Sequence, residues 1–226
     1  MIHIKDLSKS FGNKLVLKDI NISFEKGKVY GIVGENGSGK TTLFRCIAEL
    51  EKYEGEIGTH YDQLKNHLGL LFTDPYFFTR ITGKEYIQLL LNARKIKNIE
   101  INSRNIFDLP LNQYASTYST GMKKKLALTA ILLQENDVYI LDEPFNGVDI
   151  HSNIMIVEII KKLKELGKTV IISSHIFSTL AETCDEIHLL ENGEFIKSAT
   201  KESFSELETE MKKFSIGDLV DELGLK

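Results

Sequence analysis

Apolar residues recur along this chain in two rhythms. Short unbroken runs, Val29-Tyr30-Gly31-Ile32-Val33, Val138-Tyr139-Ile140-Leu141 and Thr169–Ser173, have the length of strands buried on both faces. Segments with apolar positions three and four apart predict helices over Thr42–Leu50, Lys84–Ile96, Met122–Leu133, Ile150–Leu166 and Ile176–Thr183. The opening reads as strands, Ile2-His3-Ile4 and Leu15–Phe24, before a Glu25-Lys26-Gly27 turn. Glu186–Glu191 and Glu194–Lys197 read as a hairpin around Asn192-Gly193. Alternating strands and helices imply an α/β fold, a mostly parallel sheet with helices on both faces. From about 76 to 135 the texture is mainly helical, broken by an Asn-rich stretch around Asn98–Leu109, and reads as an insert. From Lys201 onward, seven acidic and four basic residues predict one or two amphipathic surface helices.

Composition narrows the class. Hydrophobic residues make up 42% and charged residues 27% of 226, an ordinary globular balance with enough apolar mass for a sizeable core. No run approaches the ~18 apolar residues of a membrane-spanning helix, and the N-terminus lacks the pattern of a secretion signal. Cys46 and Cys184 form no framework and are expected as buried thiols in a reducing compartment. A net charge of -4 argues against nucleic acid as a partner. Lys123-Lys124-Lys125 is the one basic run of note, expected to fan across a solvated helix face.

Chemistry concentrates at strand ends. Gly34-Glu35-Asn36-Gly37-Ser38-Gly39-Lys40-Thr41 fits the Gly-x-x-x-x-Gly-Lys-Ser/Thr pattern, and it follows a buried strand and opens a helix. Glycines there let backbone N–H groups converge on phosphate oxygens. Lys40 can reach the β- and γ-phosphates, and the Thr41 hydroxyl can ligate magnesium. A second apolar strand ends in Asp142-Glu143-Pro144. In a parallel sheet both strand ends face the same crevice, so Asp142 is expected to hold Mg2+ and Glu143 to polarise water.

With these motifs in place, the chain resembles the ATP-binding subunits of ABC transporters over roughly residues 1–200. Tyr118-Ser119-Thr120-Gly121-Met122 stands where that family carries its signature, Asn146-Gly147-Val148-Asp149 where it has the D-loop, and Ser173-Ser174-His175 where it has the switch histidine. The resemblance implies a phosphate-loop ATPase core with an antiparallel β subdomain, a helical subdomain at about 76–135 within the 1–200 domain, and a helical tail at 201–226. It implies two subunits sandwiching two ATP molecules head to tail, as a homodimer or with a similar chain. The phosphates would lie on residues 34–41 and on Thr42. Ser119 and Gly121 would face the partner's γ-phosphate, with Asp149 at the same junction, and Phe11 would stack on adenine unless it is a core aromatic. Lys40, Glu143 and His175 would be catalytic, and Thr41, Asp142 and Thr73 would surround the metal. Thr73 stands where the family has glutamine, which puts coupling and hydrolysis rate in question; Thr120 and Met122 also depart from the usual signature. The implied role is that of an ATPase energising an integral membrane transporter subunit from the cytoplasmic face, docked near Thr73–Thr82 and the helical insert. The alternatives are a soluble ATPase of the same type in an assembly role and a regulatory nucleotide-binding subunit with little turnover.

Overall fold

A computed structural model describes residues 1–216, with side chains through residue 211. In chain order the strands are β1 (Ile2–Phe11), β2 (Lys14–Phe24), β3 (Val29–Val33), β4 (Glu54–Thr59), β5 (Leu68–Leu71), β6 (Val138–Asp142), β7 (Thr169–Ser173), β8 (Glu186–Glu191) and β9 (Glu194–Thr200). The helices are α1 (Lys40–Ile47), α2 (Gly83–Ala93), α3 (Thr120–Leu132), α4 (Ile150–Glu165), α5 (Phe177–Thr183) and α6 (Phe204–Ile216). Two sheets organise them. An antiparallel sheet has the order β2-β1-β4, and a six-stranded sheet has the order β5-β6-β7-β3-β8-β9. The latter is parallel except for the β8–β9 hairpin at its edge.

The continuous apolar runs are buried on both faces because each strand alternates between two cores. Val29 and Val33 of β3, Tyr139 and Leu141 of β6, and Val170 and Ile172 of β7 face one core with α2, α3, α4 and α5. Tyr30, Ile32, Val138, Ile140 and Ile171 face the other, shared with α1 and the antiparallel sheet. Burying each such side chain is worth about 1.5–3 kcal/mol, so the central strands are the rigid frame on which loop residues are hung. Register then brings the carboxyl ends together: Asp142 sits opposite Ser173, and Ile32 opposite the same serine.

Several expectations need amendment. β1 extends seven residues beyond Ile4, through three register irregularities against β2. Beyond Leu7 its residues are polar or half-exposed, so pairing rather than burial sustains it. β4, with Ile57 as its only large apolar residue, went unpredicted for the same reason. α1 starts at Lys40, two residues before the periodic segment, and α2 opens at Gly83 behind a capping box of Thr82 and Glu85. The lysine run does not fan into solvent: Lys124 is 1% exposed, and Lys125 is paired with Asp149. Phe204 and Leu207 at the start of α6 are buried in the first core, so this end of the tail is docked. The expected tail beyond residue 216 lies outside the described residues. Among the described residues no helix is long and apolar enough to cross a membrane.

Candidate functional site

The phosphate-binding loop joins β3 to α1, between the two layers of core. Gly39, at φ 113°, makes the left-handed turn that lets Lys40 begin the helix. Lys40 is buried, and its Nζ donates to the carbonyls of Gly34 (2.7 Å) and Glu35 (3.0 Å), which hold the ammonium inside the loop. Burial pushes its pKa down, opposed by the charges of Glu143 and Asp142. Ser38 Oγ is buried without a hydrogen-bond partner, an open polar atom in the middle of the loop. The loop is also tied to the far hairpin. Gly193 N–H donates to the Ser38 carbonyl (3.1 Å), while the Gly193 carbonyl accepts from Lys18 N–H of β2 (2.9 Å). A Cβ on Gly193 would stand 2.2 Å from the Val16 carbonyl oxygen, so only glycine permits this approach.

The carboxylate pair is organised by hydroxyls. Asp142, at the end of β6, is 1% exposed, and three hydroxyls donate to it: Thr41 (2.6 Å) and Thr73 (2.8 Å) to Oδ2, and Ser173 (2.6 Å) to Oδ1. Ser173 Oγ also accepts the Glu143 backbone N–H at 2.9 Å. Glu143 then turns into the left-handed region, with φ 50°. That conformation is costly for a residue with a Cβ. It aims the carboxylate across the crevice, where Oε2 meets His175 Nδ1 at 2.9 Å. A carboxylate only accepts, so Nδ1 carries the proton of this bond. Glu143 Oε1 is buried without a partner. Two adjacent carboxylates ringed by hydroxyls, with an unpartnered oxygen among them, are a hard all-oxygen donor set of the kind magnesium takes. The residues therefore fit that ion.

Loop, carboxylates and His175 line a single cleft of about 1230 Å³. Its lining also includes Phe11, which is 47% exposed and so is not a core aromatic. The Lys9 ammonium lies 4.5 Å from the Phe11 ring centroid. Glu35, Asn36, Gly37, Gly39, Lys40, Thr41, Thr42, Thr73, Asp142, Glu143 and His175 all line the cleft. Gly34 and Ser38 of the loop do not, nor do Ser119, Gly121 and Asp149. Ser119 caps α3 by accepting Met122 N–H (3.2 Å), and Asp149 caps α4 by accepting Ser152 N–H (2.9 Å). Between these two helix starts α3 touches backbone: a Cβ on Gly121 would lie 2.6 Å from the Gly147 carbonyl oxygen.

Two neighbours of the site were not foreseen. Ser173 was seen only as part of the loop closing β7, although a serine ending an apolar strand is a signal in itself. The Lys124 Nζ donates to the carbonyls of Glu143 (2.7 Å) and Asn146 (2.8 Å). Its signal lay in helical spacing, because Gly121 and Leu128, three before and four after, are both buried.

Comparison with known proteins identifies the family. The family model described as ABC transporter matches residues 17–146. The ABC transporter ATP-binding protein NatA of Bacillus subtilis (strain 168) is 34% identical, covering 92% of this chain and 93% of its own. The bacitracin transport ATP-binding protein BcrA of Enterococcus faecalis is 30% identical over 98% of this chain and 75% of its own. Among solved structures, an ATP-binding subunit of an ABC transporter superposes with TM-score 0.80 at 24% identity, covering 92% of this chain and 93% of its own. A dimeric ATP-binding cassette in a post-hydrolysis state, bound to ADP and phosphate, does so with TM-score 0.80 at 22% identity over 89% and 99%. These last two likenesses concern the fold. The chain belongs to the ABC transporter family, as one of its ATP-binding subunits.

Proposed function

We propose that this chain hydrolyses ATP as half of a head-to-tail dimer and thereby drives a separate integral membrane transporter subunit from the cytoplasmic side of the membrane. One observation carries the reading. The cleft holds a phosphate loop, a carboxylate pair and His175, while Ser119 and Gly121 of the same chain lie outside it. A second copy related by a two-fold axis would bring those residues to the open side of the cleft, each protomer completing the other's site. In this arrangement the loop amides and Lys40 bind the triphosphate, and Phe11 stacks on adenine. Thr41 and Asp142, with Thr73 beside them, would hold Mg2+, which when bound screens charge on the β- and γ-phosphates. Glu143 orients the attacking water and accepts its proton as the water oxygen bonds to the γ-phosphorus and the bond to the β,γ-bridging oxygen breaks. His175 fixes Glu143 through Oε2. Thr73 takes the place of a longer amide, so its contact with Asp142 is direct and short. The helical segment at about 76–135, together with Thr73–Thr82, is the surface offered to the membrane partner.

The experiment is a Glu143→Gln exchange. Magnesium-dependent phosphate release is expected to fall at least a hundredfold, and an ATP-dependent dimer to accumulate by light scattering. A monomer under those conditions would end the dimer reading, and undiminished release would remove Glu143 from the chemistry. Affinity capture from detergent-solubilised membranes is expected to recover a polytopic protein in near one-to-one amount. Recovery of a soluble partner alone would move the reading to an assembly ATPase.

A further inference from the structure

Lys124 is not among the residues lining the ATP cleft and reaches that lining through two backbone carbonyls, yet its ammonium is among the most deeply buried charges of the described residues. Burying a charge is costly unless it is well partnered. Here both hydrogen-bond partners belong to the turn that follows β6, the carbonyls of Glu143 and Asn146. The first is the carbonyl of the residue at φ 50°. A left-handed non-glycine residue persists only when its surroundings over-determine it. Two bonds do so from opposite sides: Ser173 Oγ holds the Glu143 N–H, and Lys124 Nζ holds its C=O. Lys124 stands five residues after Ser119 on α3, whose start is pressed against the Gly147 carbonyl. Next to it, Lys125 Nζ bonds Asp149 Oδ2 (3.2 Å) and Ser152 Oγ (3.1 Å), so α3 grips the 143–149 segment at both ends.

We infer that Lys124 is a positioning residue for hydrolysis: it clamps the left-handed backbone of Glu143 to the start of α3, so that the carboxylate is aimed in one ATP site by the helix that meets nucleotide in the other. This rests on the proposed head-to-tail dimer and on Glu143 as the residue that activates water. The clamp acts on the angle of the carboxylate and leaves the phosphate loop untouched. Lys124→Met, close in volume and without the ammonium, is therefore expected to lower kcat about tenfold or more while ATP affinity stays within about twofold. Since hydrolysis is slowed after nucleotide is bound, the same variant is expected to accumulate the ATP-bound dimer as Glu143→Gln does; a merely loosened fold would lose the dimer. Lys124→Arg, which restores a charged donor, should recover most of kcat. If the methionine variant does not fold, Lys124→Gln and Lys124→Arg give the same test: kcat should fall in the order Lys, Arg, Gln at constant affinity. Full kcat without the ammonium overturns the inference. So does a parallel fall of kcat and affinity, or a dimer that forms in Glu143→Gln but not in Lys124→Met. Absence of a dimer in Glu143→Gln itself would instead strike the underlying reading.

Discussion

Ser173→Ala removes a single oxygen that serves two buried groups. Ser173 is fully buried, and its hydroxyl donates to Asp142 Oδ1 at 2.6 Å while accepting the Glu143 N–H at 2.9 Å. Truncation would leave the Glu143 amide without a partner in a dry strand end, at a cost of about 1–3 kcal/mol. It would also forfeit a hydrogen bond to a charged group, worth about 1.5–3 kcal/mol. Asp142 keeps the hydroxyls of Thr41 and Thr73 on its other oxygen, so the two losses should not add in full. A net loss of about 3 kcal/mol is expected. In a chain of this size that corresponds to a fall of roughly 6–12 °C in Tm. The assay is nucleotide-free chemical denaturation followed by circular dichroism, with thermal melting as a second readout. A variant within about 1 kcal/mol of the parent would refute the double role of this hydroxyl. It would also weaken the claim that the Glu143 backbone is held from its N–H side.

Two further outcomes follow from groups already described. Lys40→Ala should weaken ATP binding at least tenfold in a fluorescent-nucleotide titration, because no other cation in the cleft is enclosed by the loop carbonyls of Gly34 and Glu35; unchanged affinity would undo the phosphate-loop assignment. His188 is buried on β8, with Nδ1 bonded to Ser198 Oγ at 2.7 Å and Nε2 facing Glu186 at 3.9 Å, and desolvation depresses its pKa against the weaker pull of Glu186. The folded state thus binds this proton more weakly than the unfolded chain, which protonates near 6.5, so stability present above that pH is lost as pH falls from there toward the lower folded pKa, by up to about 1.4 kcal/mol per unit. His188→Gln should flatten that part of the stability profile between pH 7 and 5; an unchanged slope would show that other groups carry it.

The strands that frame the site were readable because they are buried twice over. Nothing but a central strand explains Val29–Val33 or Val138–Leu141, and the functional residues sit where those runs stop. The second half of β1 and all of β4 were not readable, since Lys9, Ser10, Glu54 and Glu56 gain their conformation from a paired neighbour rather than from their own apolar pattern. Lys124 was misread for a related reason. A lysine is expected at the surface, and the two carbonyls that compensate its burial come from a turn some twenty residues away in sequence. Phe11 left two readings open, and exposure decided between them: a ring half in solvent on the wall of the cleft is not core.

The bond path through Gly193 bears on what the cleft admits. Phe11 belongs to the antiparallel sheet and the phosphate loop follows a strand of the six-stranded one, and among the described residues no strand pairing joins the two sheets. They are joined instead by a shared apolar core and, at the phosphate loop, by Gly193, whose carbonyl accepts from the Lys18 amide and whose N–H donates to the Ser38 carbonyl. The placement of Phe11 relative to the phosphate loop is therefore braced by a hairpin some 150 residues downstream of the loop. The tip of that hairpin thus ties the sheet that carries the aromatic ring to the loop that carries the lysine.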